Sequence, residues 1–254
     1  MRPGARTVWV VLLFTAALTA ALIVLPARWV MAWIPDSSPV IVTNASGTLW
    51  DATATVAVGA EGLRRTLPDP VQWRFDLDGW PRLALTHPWL RGPLHITLSW
   101  RGLKVSAQSL QLPASVLTTV HALFNTLDPG GEVFLTWPDL ILARTVAASQ
   151  GAQLLSAQWR NASSSLTRVH PMGNYTLLVS GADNSRLSLL LRTDQGPLHM
   201  EGNGTLSASG RVKFDGKAWA SASAPRDTQT GLQNLLSVMG PSSGQGGETL
   251  LQIR

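Results

Sequence analysis

Five histidines, His87, His95, His121, His170 and His199, are the side chains best suited to metal binding or proton transfer, and no two lie within seven residues of each other. That spacing offers no local ligand set. A hydrolytic role for His87, His121 or His170 would require folding to bring a serine and a carboxylate beside one of them. His95 and His199 occur in the same tetrapeptide, Gly-Pro-Leu-His, and read as structural duplicates. Neither a Gly-x-Ser-x-Gly elbow nor a Ser-x-x-Lys string is present. Asp76 and Asp78 stand two apart on one strand face, the arrangement of a solvated edge rather than an acid–base pair. Gly202-Asn203-Gly204 begins a dinucleotide-type string without its third glycine and reads as a strand turn. Gly240 to Gly247 lacks the Gly-Lys-Ser/Thr ending of a phosphate loop and reads as a flexible linker. With no cysteine there is no disulfide frame, thiolate metal site or cysteine nucleophile. No catalytic, cofactor-binding or metal residue is assigned, and no cofactor is expected.

Composition narrows the partner classes. The net charge is +5, of which Arg2 and Arg6 supply two, and the longest basic cluster of the body is Arg64-Arg65. A nucleic-acid binder gathers its cations on one face, so none is expected here. Charged residues make up 14% of the chain, against roughly 25% in typical soluble domains. Such a surface suits work against membrane lipid or inside an assembly. Asn44, Asn161, Asn174 and Asn203 head Asn-x-Ser/Thr triplets, which a chain this rich in serine and threonine produces by chance.

The elements that would position this body begin with an uncharged apolar run from Val8 to Leu25. As a helix, the run reaches roughly 27 Å, close to the hydrocarbon thickness of a bilayer. Arg2 and Arg6 precede it and, by the positive-inside rule, hold the N-terminus in the cytoplasm. A cleaved signal peptide has a shorter apolar region and a small-x-small site after it; Leu25-Pro26-Ala27-Arg28-Trp29 offers none, and Ala16 to Ala21 offers one only inside the run. The expectation is an uncleaved anchor. Trp29 and Trp33, four apart, share a helical face just beyond it, as interfacial aromatics do.

Beyond the anchor the pattern has period two. Val71 to Asp78, Leu94 to Arg101, Glu132 to Trp137, Tyr175 to Val179, Leu187 to Leu191 and Gly210 to Trp219 alternate apolar and polar residues between Gly, Pro and Asn breaks, which predicts antiparallel strands. Helical spacing appears twice. Val116, Val120, Leu123 and Leu127 mark Pro113 to Leu127, and Leu232, Leu235, Leu236 and Met239 mark Thr230 to Met239. Most of the tryptophans among Trp50, Trp73, Trp80, Trp89, Trp100, Trp137 and Trp159 fall at inward-facing positions and predict core packing.

Short strings recur in order. Gly92-Pro93-Leu94-His95 returns at Gly196, Gly130-Gly131-Glu132 at Gly246, and Trp50-Asp51-Ala52 loosely at Trp159, with offsets of 104, 116 and 109 residues. They predict an internal duplication. The expected architecture is mainly β: an N-terminal transmembrane helix, then a periplasmic antiparallel body of two tandem repeat-like units, each with a short helix. The expected segments are 1–34 for the cytoplasmic end and anchor, 35–128 for the first unit and 129–254 for the second.

Several strings, taken in order, resemble a known family. They are Leu25-Pro26-Ala27-Arg28-Trp29-Val30, Gly47-Thr48-Leu49-Trp50-Asp51-Ala52, Gln158-Trp159-Arg160-Asn161-Ala162, Val169-His170-Pro171-Met172-Gly173-Asn174-Tyr175, Thr193-Asp194-Gln195-Gly196-Pro197-Leu198 and Gly202-Asn203-Gly204. Over essentially its whole length the chain resembles protein N of the bacterial type II secretion system, or general secretion pathway. Met172 and Ser207 are mild departures from that pattern. The resemblance implies a single-pass inner-membrane accessory subunit that is not an enzyme. It also implies partners among the inner-membrane platform subunits and the outer-membrane secretin. A second reading of the same strands is an anchored periplasmic protein that holds lipid in a β groove.

Overall fold

A computed structural model describes residues 3–35, 37–38, 40–59, 64–76, 80–100, 102–119, 122–142, 151–182, 186–207, 209–243 and 247–253. Arg2, Leu77, Asp78, Arg101, Val120, His121 and Gly246, used in the sequence reading, lie outside them. The chain is mainly β, with two antiparallel sheets and few helices. It divides into two compact units, Met1–His87 and Pro88–Arg254. The division follows packing, and the structure does not confirm a tandem repeat.

The first unit opens with helix α1 (Pro3–Ile23) and the short α2 (Trp29–Trp33). Five strands follow: β1 (Val40–Gly47), β2 (Asp51–Val58), β3 (Arg65–Thr66), β4 (Val71–Asp76) and β5 (Arg82–Thr86). They pair in the order β1-β2-β4-β5, with β3 also on β2. Alternation works as expected in β4, where Trp73 is buried while Gln72 and Arg74 face solvent. Ala27, Ala52, Ala54 and Trp73 form a small core, with Phe75, Leu83 and Leu85 packed on it.

The second unit carries a short ladder and a long sheet. The ladder joins β6 (Leu94–Ser99), β7 (Gly102–Val105) and a later strand, β10 (Leu140–Leu142). The sheet begins with β8 (Gln108–Pro113) and β9 (Pro129–Trp137), which are separated by a 3-10 helix (Ala114–Thr119) and α3 (Ala122–Leu127). It continues through β11 (Gln153–Ser164), β12 (Gly173–Gly181), β13 (Leu187–Gln195), β14 (Leu198–Leu206) and β15 (Val212–Ala220). Helix α4 (Arg226–Met239) precedes the last strand, β16 (Thr249–Ile253). The order across the sheet is β16-β15-β14-β13-β12-β11-β9-β8.

Helix α4 lays Leu232, Leu235 and Leu236, all under 7% exposed, on Tyr175, Leu198, Met200 and Ala218 of one sheet face. The period-3.6 stripe read from the sequence is that buried face. The expected helix Pro113–Leu127 instead divides into a 3-10 turn and α3. The Thr118 hydroxyl donates to the Ser115 carbonyl at 2.7 Å, and such a side-chain bond, beside β-branched Val116 and Thr119, competes with α-helical pairing.

Three local expectations change. Trp80 and Trp100 are 79% and 88% exposed, because β5 begins only at Arg82 and β6 stops at Ser99, which leaves both rings outside a strand. Gly202-Asn203-Gly204 lies mid-strand in β14, not in a turn. Its glycines sit on the same strand face as Phe214, whose ring a Cβ at Gly202 would meet at 2.6 Å. The residues stay small so that an aromatic can cover them.

Candidate functional site

The family-like residues do not scatter; within each unit they gather into one cluster. In the first unit the helical part of the apolar run ends at Ile23, before Leu25. From Val8 to Val24 its large side chains are 49–69% exposed. The last carbonyls of a helix have no partner within it. Here the β1–β2 hairpin supplies one at Leu22 and binds the chain just past the helix at Leu25. The indole N–H of Trp50 donates to the Leu22 carbonyl at 2.8 Å, and the Leu49 N–H donates to the Leu25 carbonyl at 2.7 Å. In return, Ala27 donates to the Gly47 carbonyl at 3.1 Å.

The hairpin is itself braced. Thr48 donates its N–H to the Asp51 carbonyl at 2.9 Å, the Trp73 indole donates to the Leu49 carbonyl at 2.9 Å, and Trp50 meets Phe75 edge to face at 5.6 Å. Gly47 has φ +98°, and a Cβ there would lie 2.5 Å from the Asp51 carbonyl oxygen. Glycine is therefore required at this turn. The string Gly47-Thr48-Leu49-Trp50 acts as a clasp on the end of α1.

In the second unit, Trp159, Pro171, Gly173, Tyr175, Gly196, Pro197 and Leu198 meet at the α4-covered end of the long sheet. A bulge in β11 puts Asn161 at φ +50° and turns its N–H to the Asn174 side-chain oxygen at 2.8 Å. The Trp159 indole donates to the Gly130 carbonyl at 2.9 Å and its ring lies 5.8 Å from that of Tyr175. Pro171 follows a cis peptide bond, after which Met172 donates to the Ala162 carbonyl at 2.7 Å and accepts from Leu198 at 3.0 Å. The Tyr175 hydroxyl, 2% exposed with its residue, donates to the Leu198 carbonyl at 3.0 Å. Burial pushes its pKa up. Pro197 accepts from Ser221 at 2.7 Å. Gly196, at φ +128°, leaves no room for a Cβ, which would strike the Gly173 Cα. The cluster is a sealed corner of backbone bonds.

The residues with chemical potential stand in separate surroundings. His87 is 7% exposed and its Nε2 lies 3.2 Å from the Asp69 carbonyl. His170 lines an open polar groove of about 910 Å³ with Arg168, Asp227 and Asn234. His199 stacks on Trp219 at 5.4 Å, and His95 buries its Nδ1 without a hydrogen-bond partner. Asp76 pairs with Arg82, whose Nε donates at 2.9 Å. Lys217 sits between Glu201 (3.2 Å) and Glu248 (3.5 Å), and its bond to Glu201, with the charge of Glu248, raises its pKa. Among the described residues no three of His, Asp and Glu gather as a metal-binding group.

Fold and clusters together define an antiparallel β scaffold carried behind an exposed apolar helix. A family model for type II secretion system protein N matches residues 38–250, and the chain belongs to that family. The family is an accessory component of secretion, not known as an enzyme, and membership implies other secretion components as partners and a place in the cell envelope. Comparisons with characterised proteins and with solved structures find no match. Among the described residues no helix is long and apolar enough to cross a membrane. From Val8 to Ile23, the apolar part of α1 rises about 24 Å against the roughly 30 Å of a bilayer core.

Proposed function

We propose that this chain is a non-enzymatic accessory subunit of the type II secretion system, held in the bacterial inner membrane by α1. Its N-terminus lies in the cytoplasm and its β body in the periplasm. There the body engages inner-membrane platform subunits and the secretin, and so takes part in export of folded proteins across the outer membrane. The family match over residues 38–250, which spans strands of both units, carries this reading.

Two further observations support the anchor. The large side chains of α1 are exposed on every face, which suits lipid better than one protein groove. A helix somewhat shorter than the hydrocarbon core is accommodated by local thinning of the bilayer at modest cost. The clasp then gives the anchor a fixed attachment to the first sheet. Deleting the gene is expected to abolish exoprotein secretion, and affinity capture of the full-length chain from detergent-solubilised envelopes is expected to recover platform subunits or the secretin. Unchanged secretion together with capture of neither would overturn the assignment.

A further inference from the structure

We propose that the segment Arg28–Trp33, with the hairpin that grips it, seats in the headgroup zone of an anionic phospholipid bilayer, so that the first unit rests on the membrane surface. The proposal rests on the reading of α1 as a membrane anchor. Helix α2 has the sequence Trp-Val-Met-Ala-Trp, without one polar side chain. Trp29, Met31 and Trp33 are 52%, 38% and 67% exposed, and Ala32 is exposed as well. Its root is not: Ala27 is fully buried against Ala52, Ala54 and Trp73. The sheet thus holds one end of the segment while the rest presents apolar surface outward. Trp29 and Trp33, at i and i+4, share a face.

Lipid is the occupant for three reasons. The exposed apolar surface of α2 continues that of α1 with only a few residues between, and α1 is apolar on all faces. The clasp fixes this continuity, because Trp50 and Leu49 bind the Leu22 and Leu25 carbonyls while Ala27 binds Gly47, so α2 cannot swing away from the end of α1. Charge agrees: Arg28, on the same side of the anchor as α2, is exposed beside Trp29, and no acidic residue occurs from Arg28 to Pro35. Tryptophan rings favour the headgroup level and guanidinium pairs with phosphate.

The chain has no cysteine, so single labels report cleanly. A nitroxide on Ala32→Cys keeps both tryptophans, and one on Leu13→Cys reports the anchor. Full-length protein is reconstituted into vesicles of zwitterionic phospholipid with phosphatidylglycerol, and the access of oxygen and of a nickel chelate to each label is compared. The label at 13 is expected to be open to oxygen and closed to nickel, and the label at 32 to show intermediate access to both. Replacing Trp29 and Trp33 by Ser in the Ala32→Cys chain is expected to raise nickel access towards its value in water. A label at 32 as open to nickel in vesicles as in water, with 13 still closed, overturns the proposal and leaves the anchor standing. A label at 13 open to nickel overturns the anchor itself. A label at 32 closed to both probes and immobilised points to a protein contact, such as a second copy, and also overturns the proposal.

Discussion

The Tyr175 hydroxyl is buried with one partner, the Leu198 carbonyl. Tyr175→Phe leaves that carbonyl unsatisfied and is expected to cost about 1–2 kcal/mol in urea unfolding of the full-length protein in detergent. The same burial makes the contribution pH-dependent. The folded-state pKa is raised above the ordinary value of 10.0, so this stabilisation is complete below pH 10 and falls as pH rises beyond it. Between pH 9 and 11.5 wild type should lose more stability than Tyr175→Phe; equal losses would mean that the hydroxyl is not buried. Gly196→Ala forces a Cβ onto Gly173 at a positive φ and is expected to cost more than about 2 kcal/mol by the same measurement. The sequence marks Trp159, Gly173, Tyr175 and Gly196 as strings worth noting. It does not bring them together, because β11, β12 and the β13–β14 turn meet only through ladder pairing, a non-local fact. Trp50 is a similar case. Its type suggests core packing, but its indole N–H caps a helix twenty-eight residues earlier.

At the scale of elements, period-two alternation reveals six of the sixteen described strands, those in which one face is buried and the other solvated. It finds β4, β6, β9, β12, β13 and β15 but misses others, β11 among them. That strand runs twelve residues through a bulge, and the bulge flips the alternation the eye follows. Helix α4 is legible because its stripe is regular, although it starts at Arg226 rather than Thr230, with Asp227 well placed in the first turn. Leu235 is 1% exposed at the centre of that stripe. Leu235→Ala is expected to cost about 2–5 kcal/mol, read as a lower urea midpoint with an unchanged slope. A loss below about 1 kcal/mol would mean that α4 rests on the sheet more loosely than its burial implies. The recurring Gly-Pro-Leu-His string shows the limit of such reading. At Gly196 it makes the tight β13–β14 turn, whereas at Gly92 it opens β6 from a position where a Cβ would meet nothing.

For the whole molecule, anchor and body are joined by hydrogen bonds as well as by the covalent chain. A body starting at Pro26, exported behind a cleavable signal, loses both carbonyls that the clasp grips. It is expected not to restore exoprotein secretion in a deletion strain, although the second unit, whose core clusters draw on residues 89 onward, keeps its fold. Full restoration would reduce the apolar run to an export signal. The pairing order of the long sheet has a separate consequence for how the chain assembles. From β12 to β15 each strand hydrogen-bonds the one immediately before it, so the sheet can grow at a single margin as residues become available, with short loops to close at every step. Only β16 must wait, since α4 has to fold back before it can pair with β15. Until that last strand arrives the growing margin stays open to other extended chains, which makes the interval before β16 docks the period in which a newly made copy is most prone to mispairing.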